Sequence, residues 1–259
     1  MRAVWRGAVS FGLVSIPVRL FGATEEHNFR FHQVHRADGG QIRHRRVCSV
    51  CGEDVPVEEV GKGYRLEDGR VVLVEPEDFE RLPLSTDRLI EVVEFVSVDR
   101  IDPIHLHRSY YLEPAPSAVG SYALLRDTLE RVWRMAVVKI TIRQRETLAV
   151  LRPRGDLLVL HTLLWPDEIR EPSFDLPETV SRPREVRMAA ALVESMTGEF
   201  DHAGFTDDYR DALEQVIVAK SAGAEIPVAR APEETGGMDL MTALRLSLEK
   251  VHARRPPSH

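Results

Sequence analysis

Residues 137–165 read "VVKITIRQRETLAVLRPRGDLLVLHTLLW", and this stretch decides the fold. In its first seven residues Val138, Ile140 and Ile142 fall on one side of an extended chain, and Lys139, Thr141 and Arg143 on the other. The rest reads as a hairpin that turns at Arg154-Gly155-Asp156, where glycine supplies the conformational freedom a tight loop needs. One face is apolar and the other cationic, which suits an antiparallel sheet packed on its own core.

Working outward, strand texture continues in both directions along the chain. "RLIEVVEFVSVDRI" and "HRSYYLEP" are rich in β-branched and aromatic residues. "AVSFGLVSIPVRLFGAT" and "HNFRFHQVH" alternate as strands, with Pro17 marking an edge or bulge. Asp38-Gly39-Gly40 predicts a hairpin turn whose second arm carries Arg43, Arg45 and Arg46, and "GYRLEDGRVVLV" predicts another turn at Glu67–Gly69. "EPEDFERL" reads as a short helix, and "SYALLRDTLER" as a longer one with Ser121 as its N-cap. A proline-rich stretch follows Trp165, and two helices with i, i+3/i+4 apolar spacing come after it.

These readings predict a mixed α+β chain: a β-rich part that runs to about Trp165, then a helical arm over 181–220, a linker over 221–237, and an amphipathic C-terminal helix with a short tail over 238–259. A tethered amphipathic helix docks on its own core or in a partner's groove.

At 259 residues and 43% hydrophobic the chain is long enough to bury a core. No apolar run is long enough for a membrane span, and Arg6, Gly7, Gly12 and Pro17 break up the N-terminal pattern, so neither a span nor a signal peptide is expected. A cytosolic, nucleoid-associated protein is the expectation. The net charge is −7, but the first fifty residues hold eight arginines against three acids. Phosphate responds to such a local patch and not to the average. A second run of cations, Arg131 to Arg154, lies on the strands quoted above.

The only two cysteines form the knuckle Cys48-Ser-Val-Cys51-Gly52. In a reducing compartment such a pair points to metal or thiol chemistry and away from a structural disulfide. Structural zinc is the cofactor the knuckle admits: Cys48 and Cys51 supply two ligands, His35 is the first candidate for a third, and His32, Asp38 or His44 for a fourth. An unmetallated thiol pair stands as the alternative. No Walker-type loop, G-x-S-x-G elbow or H-E-x-x-H helix occurs, and His105 with His107 reads as a surface pair on one strand face, so no enzyme is expected.

Taken in order, "RAVWRGAVSFGLVSIPVRLFGAT", "FHQVHRADGGQIRHRRVCSVCG", "KGYRLEDGRVVLV", "RSYYLEP", "YALLRDTLER" and "LHTLLWPDEIR" resemble the prokaryotic Ku proteins, collinearly from residue 2 to about 220. The resemblance implies an antiparallel β-barrel core over 1–180 with an inserted β-rich bridge at about 30–75, in a homodimer whose barrels and paired bridges encircle the end of duplex DNA in non-homologous end joining, without reading sequence and without catalysis. It also implies recruitment of a multifunctional ATP-dependent DNA ligase. Phosphate contacts are then expected at Arg36, Arg43, Arg45, Arg46 and Lys62 on the bridge and at Lys139, Arg143 and Arg145 on the barrel. Arg45 and Arg46 are adjacent, so on a strand they cannot both face one duplex. The C-terminal helix is expected to meet the ligase through Leu244 and Leu248. The tail "VHARRPPSH" departs from the lysine-rich extensions of some relatives, so extra DNA bridging through it is not expected. The other reading is a zinc-ribbon nucleic-acid-binding or transcription-regulatory protein.

Overall fold

In the computed structural model, residues 1–82, 88–225 and 240–254 are described. The chain forms two compact units, Met1–Pro172 and Ser173–His259. The linker expected at 221–237 lies for the most part outside the described residues, as does the tail beyond 254.

Among the described residues of the first unit, nine strands alternate with two helices: β1 (Ala3–Phe11), β2 (Val14–Gly22), β3 (Lys62–Arg65), β4 (Val71–Val74), the short α1 (Pro76–Glu80), β5 (Leu89–Ser97), β6 (Leu106–Pro114), α2 (Val119–Arg131), β7 (Arg134–Ile142), β8 (Arg145–Arg154) and β9 (Leu157–Leu163). Seven of the strands close a barrel in the order β1-β2-β6-β9-β8-β7-β5, while β3 and β4 form a separate two-stranded sheet. Strand directions can alternate all the way round a closed ring only if the strand number is even, so a seven-stranded barrel needs one parallel seam. That seam is β1–β5, and the other pairings in the ring are antiparallel.

The parallel seam explains one glycine of β1. A Cβ on Gly7 would stand 2.1 Å from the carbonyl oxygen of Arg88, where the chain re-enters the barrel. The amide of Ala8 donates to that same oxygen at 3.0 Å. Pro17 is tolerated in β2 because β6 has already ended beside it: the β2–β6 pairing begins at Val18↔Pro114.

Inward-facing residues fill the barrel: Val9, Ile16, Leu20, Ile90, Val138, Ile140, Leu151, Leu158 and Leu160 are all fully or almost fully buried. One end is plugged by α2, whose Tyr122, Leu125 and Leu129 join this core. The Tyr122 hydroxyl is the polar pin of the plug, donating to the Leu112 carbonyl at 2.8 Å and accepting from the Leu158 amide at 2.6 Å. Ser121 is not the N-cap expected for this helix; α2 begins at Val119 after a 3-10 turn opened by Pro116.

The opposite end carries the insertion. β2 ends there and β5 begins there, and the β7–β8 turn and the start of β6 lie beside them. Between Ala23 and Leu82 no residue is buried. The strand expected over "HNFRFHQVH" does not form: only the bridge Val34↔Gln41 appears there, since among the described residues no second strand lies alongside to pair with the rest.

The second unit holds α3 (Pro183–Met196), α4 (Asp208–Ser221) and α5 (Leu240–Arg254), with α5 lying against α3. Leu244 is half-buried, and the Leu248 side chain lies outside the described part of the structure. Among the described residues no helix is long and apolar enough to cross a membrane.

Candidate nucleic-acid interface

The insertion is a string of small turns, each closed locally. In the first, Gly39 takes φ +74°, the Gly40 amide donates to the Asp38 carboxylate at 2.8 Å, and His35 pairs with that carboxylate at 3.0 Å. The second is the cysteine knuckle: Val47 bridges Asp54, Gly52 takes φ +74°, and the Gly52 amide donates to the Cys48 carbonyl at 2.9 Å. The third is the β3–β4 hairpin, turning at Gly69 with φ +86°.

The expected phosphate contacts separate into two groups. Arg45 pairs with Asp54 across the knuckle and is committed to holding that turn. Lys62 sits 4.4 Å from the ring centre of Phe79, Lys139 is 3.4 Å from Glu146, and Arg145 pairs with Glu168. Arg36, Arg43, Arg46 and Arg143 are exposed and have no acidic partner among the described residues. Arg45 and Arg46 lie outside any strand, yet they divide as expected: Arg45 is bound to the fold, and Arg46 has no acidic partner among the described residues. Arg143 stands with Gln144 in a two-residue loop in which both have positive φ, +52° and +67°. This loop lies at the barrel end where the insertion departs.

Sequence reading missed Arg108. It lies near the start of β6 and reaches the Arg143 loop through the pairings β6–β9, β9–β8 and β8–β7, which no local pattern announces. The pair expected of His105 and His107 is not on one strand: His105 belongs to a 3-10 turn and only His107 to β6.

At the knuckle, the amides of Cys51 and Val50 aim at the Cys48 sulfur, and with the Cys51 thiol they hold the Cys48 thiol below the ordinary range. That geometry suits a thiolate ligand. A structural zinc needs four ligands, however, and His35 is turned to Asp38, while among the described residues no three His, Cys, Asp or Glu side chains converge. The residues present supply two positions of a zinc site and do not fit a complete one.

One arrangement on the barrel wall has the outline of a catalytic dyad. Ser109 Oγ lies 2.8 Å from His161 Nδ1, and Arg152 Nε donates to His161 Nε2 at 2.9 Å. Because Nε2 accepts from Arg152, the ring proton sits on Nδ1 and is donated to the serine. The imidazole cannot then act as a base toward that hydroxyl. Burial, with Arg152 and Arg154 nearby, depresses the His161 pKa and keeps the ring neutral.

The fold and this surface define a class: a closed β-barrel interrupted by an exposed, arginine-bearing β insertion that has no core of its own. Known proteins resemble the chain in sequence. Residues 10–190 match the family described as the Ku70/Ku80 beta-barrel domain. Three relatives are each named Non-homologous end joining protein Ku, one of them as the second such protein of its organism. That of Saccharopolyspora erythraea is 49% identical over 98% of this chain and 86% of its own length. That of Frankia casuarinae is 50% identical over 99% of this chain and 65% of its own length. That of Mycobacterium tuberculosis is 42% identical over 87% of this chain and 85% of its own length. The chain belongs to the bacterial Ku family.

Proposed function

We propose that the protein binds the ends of double-stranded DNA in non-homologous end joining, as a homodimer whose two insertions close around the duplex, and that it recruits and stimulates an ATP-dependent DNA ligase while performing no chemistry itself. The insertion carries this reading. It bears arginines that have no acidic partner among the described residues, and it exposes Val47, Val57, Val60, Tyr64, Val71, Val72 and Leu73, about half of each side chain or more. A two-stranded hairpin with apolar residues in water is marginal alone and calls for a covering surface. A second copy of the same insertion supplies that cover and closes a ring in one step. Cations along the enclosed path bind phosphate without reading bases, so selectivity for ends comes from topology.

The ligase contact is assigned to α5, which also lies against α3, through Leu244 and Leu248 on its apolar stripe. Removing residues beyond 237 is then expected to spare end binding and reduce ligase stimulation.

The test compares linear and covalently closed duplex of one sequence at equal mass. The linear form is expected to be retained and the circle released. Equal retention of both overturns the clamp. Charge reversal of Arg43 and Arg46 flattens the dependence of affinity on salt by about 0.9 in log–log slope for each phosphate no longer neutralised. Reversal of Arg45 instead loosens the knuckle.

A further inference from the structure

The barrel end from which the insertion departs holds a cleft of about 340 Å³ lined by His107, Arg108, Arg143, Arg145, Trp165 and Glu168 among others. Three distant segments build it, because the register brings Leu106 opposite Leu163, Thr162 opposite Ala149, and Ile142 opposite Arg145. Among the described residues Glu168 is the one acid lining the cleft. Its carboxylate is already engaged, by Arg145 and by the Trp165 amide at 2.9 Å. One guanidinium is therefore neutralised in place, and Arg108 and Arg143 face the cleft with no acidic partner among the described residues.

The charge left over selects a ligand. A phosphodiester carries a single charge and leaves one guanidinium unanswered, whereas a phosphomonoester carries about −1.5 to −2 near neutral pH. Two guanidinium forks match its oxygens well. The volume falls in the range of small-molecule sites, of the order of a mononucleotide and far short of a duplex. Trp165 adds an aromatic face on which a base can stack.

We propose that this cleft is a phosphomonoester site, gripped by Arg108 and Arg143, that takes the terminal phosphate of a DNA strand or the phosphate of a free nucleoside monophosphate. The first of these sources rests on the end-binding function proposed above; the second does not.

The test uses the full chain, two duplexes of one sequence that differ only in bearing 5′-phosphate or 5′-hydroxyl ends, and a separate titration with deoxycytidine monophosphate followed by tryptophan emission. Phosphorylated ends are expected to bind about tenfold more tightly, as a charge-assisted contact to one added phosphate group implies. Arg108→Gln is expected to abolish that preference while hydroxyl-ended duplex binds as before, and Arg108→Lys to restore it in part. The mononucleotide is expected to change emission in the wild type and not in Trp165→Phe. A preference without mononucleotide binding identifies the strand end as the ligand, and mononucleotide binding without a preference identifies the free nucleotide. Equal affinity for both ends together with a silent titration overturns the proposal, as does a preference that survives in both Arg108→Gln and Arg143→Gln. If neither duplex binds, the end-binding function has failed and the mononucleotide titration alone decides the cleft.

Discussion

The Arg143-Gln144 loop offers the sharpest test of how stability and function divide on this barrel. Ile142 pairs with Arg145, so the loop is a two-residue hairpin, and both of its central residues have positive φ. That geometry favours Asn-Gly, and a residue bearing a long side chain in the left-handed region costs about 1–2 kcal/mol. Replacing the pair by Asn-Gly relieves much of this strain. The added freedom of glycine in the unfolded chain takes back about 0.5–1 kcal/mol. The net expectation is a gain of about 1 kcal/mol, or about 2–4 °C in Tm for a chain of this size. The same change deletes Arg143, so the salt dependence of duplex binding should flatten by about 0.9 per copy. The single variant Gln144→Gly separates the two effects: it should raise Tm and leave the salt slope untouched. Thermal unfolding by circular dichroism and a salt series of end-binding titrations measure both. A lower Tm for Gln144→Gly would refute the strain argument, and an unchanged slope for Arg143→Asn would remove this loop from the phosphate path.

Tyr122→Phe leaves the buried Leu158 amide without its acceptor and should cost about 1–3 kcal/mol in thermal unfolding, with the fold otherwise kept. Gly7→Ala drives a methyl into the Arg88 carbonyl at the parallel seam and should destabilise by about 3 kcal/mol, the upper end for overpacking, whereas the same change at Gly22, where nothing lies within 4 Å, meets no clash. The folded state depresses the His161 pKa, so below about pH 6.5 the unfolded chain binds the proton more readily and stability falls with pH. Urea midpoints between pH 8 and pH 5 should show this loss, and His161→Asn should reduce it; an unaltered pH profile would contradict the buried neutral ring.

The barrel strands were legible because alternation is a local signal, and β6, β7, β8 and β9 each carry it with β-branched or aromatic residues. The failures fall where structure depends on what lies alongside. "HNFRFHQVH" alternates as well as β6 does, yet among the described residues it has no partner strand and stays irregular. Ser121 has the chemistry of a cap, but Pro116 starts the turn earlier and places Ser121 inside α2. The Arg45–Asp54 pair depends on the knuckle bringing residues nine apart face to face, and the approach of Arg108 to Arg143 depends on three successive strand pairings. Periodicity encodes neither. The parallel seam follows from strand number alone once closure is known, but closure itself is a property of the whole sheet.

An acidic chain that holds a polyanion has to keep its cations from being consumed by its own acids, and the distribution of ion pairs bears on where the phosphate goes. Along the barrel, Arg19 pairs with Glu113 at 2.7 Å, Arg126 with Asp127 at 2.7 Å, and Lys139 with Glu146 at 3.4 Å. At the insertion and the barrel end beneath it, Arg36, Arg43, Arg46, Arg108 and Arg143 are unmatched among the described residues. A cation already answered gains little from a phosphate, because it must first give up its carboxylate. An unanswered one releases counterions at no such cost. On the proposed function, Lys139 and Arg145 therefore contribute less to the salt slope than composition suggests, and Arg36, Arg43 and Arg46 contribute more. Net charge misleads because phosphate meets single guanidinium groups at contact range: within the insertion Arg45 and Arg70 are answered by Asp54 and Asp68, while Arg36, Arg43 and Arg46 have no acidic partner among the described residues.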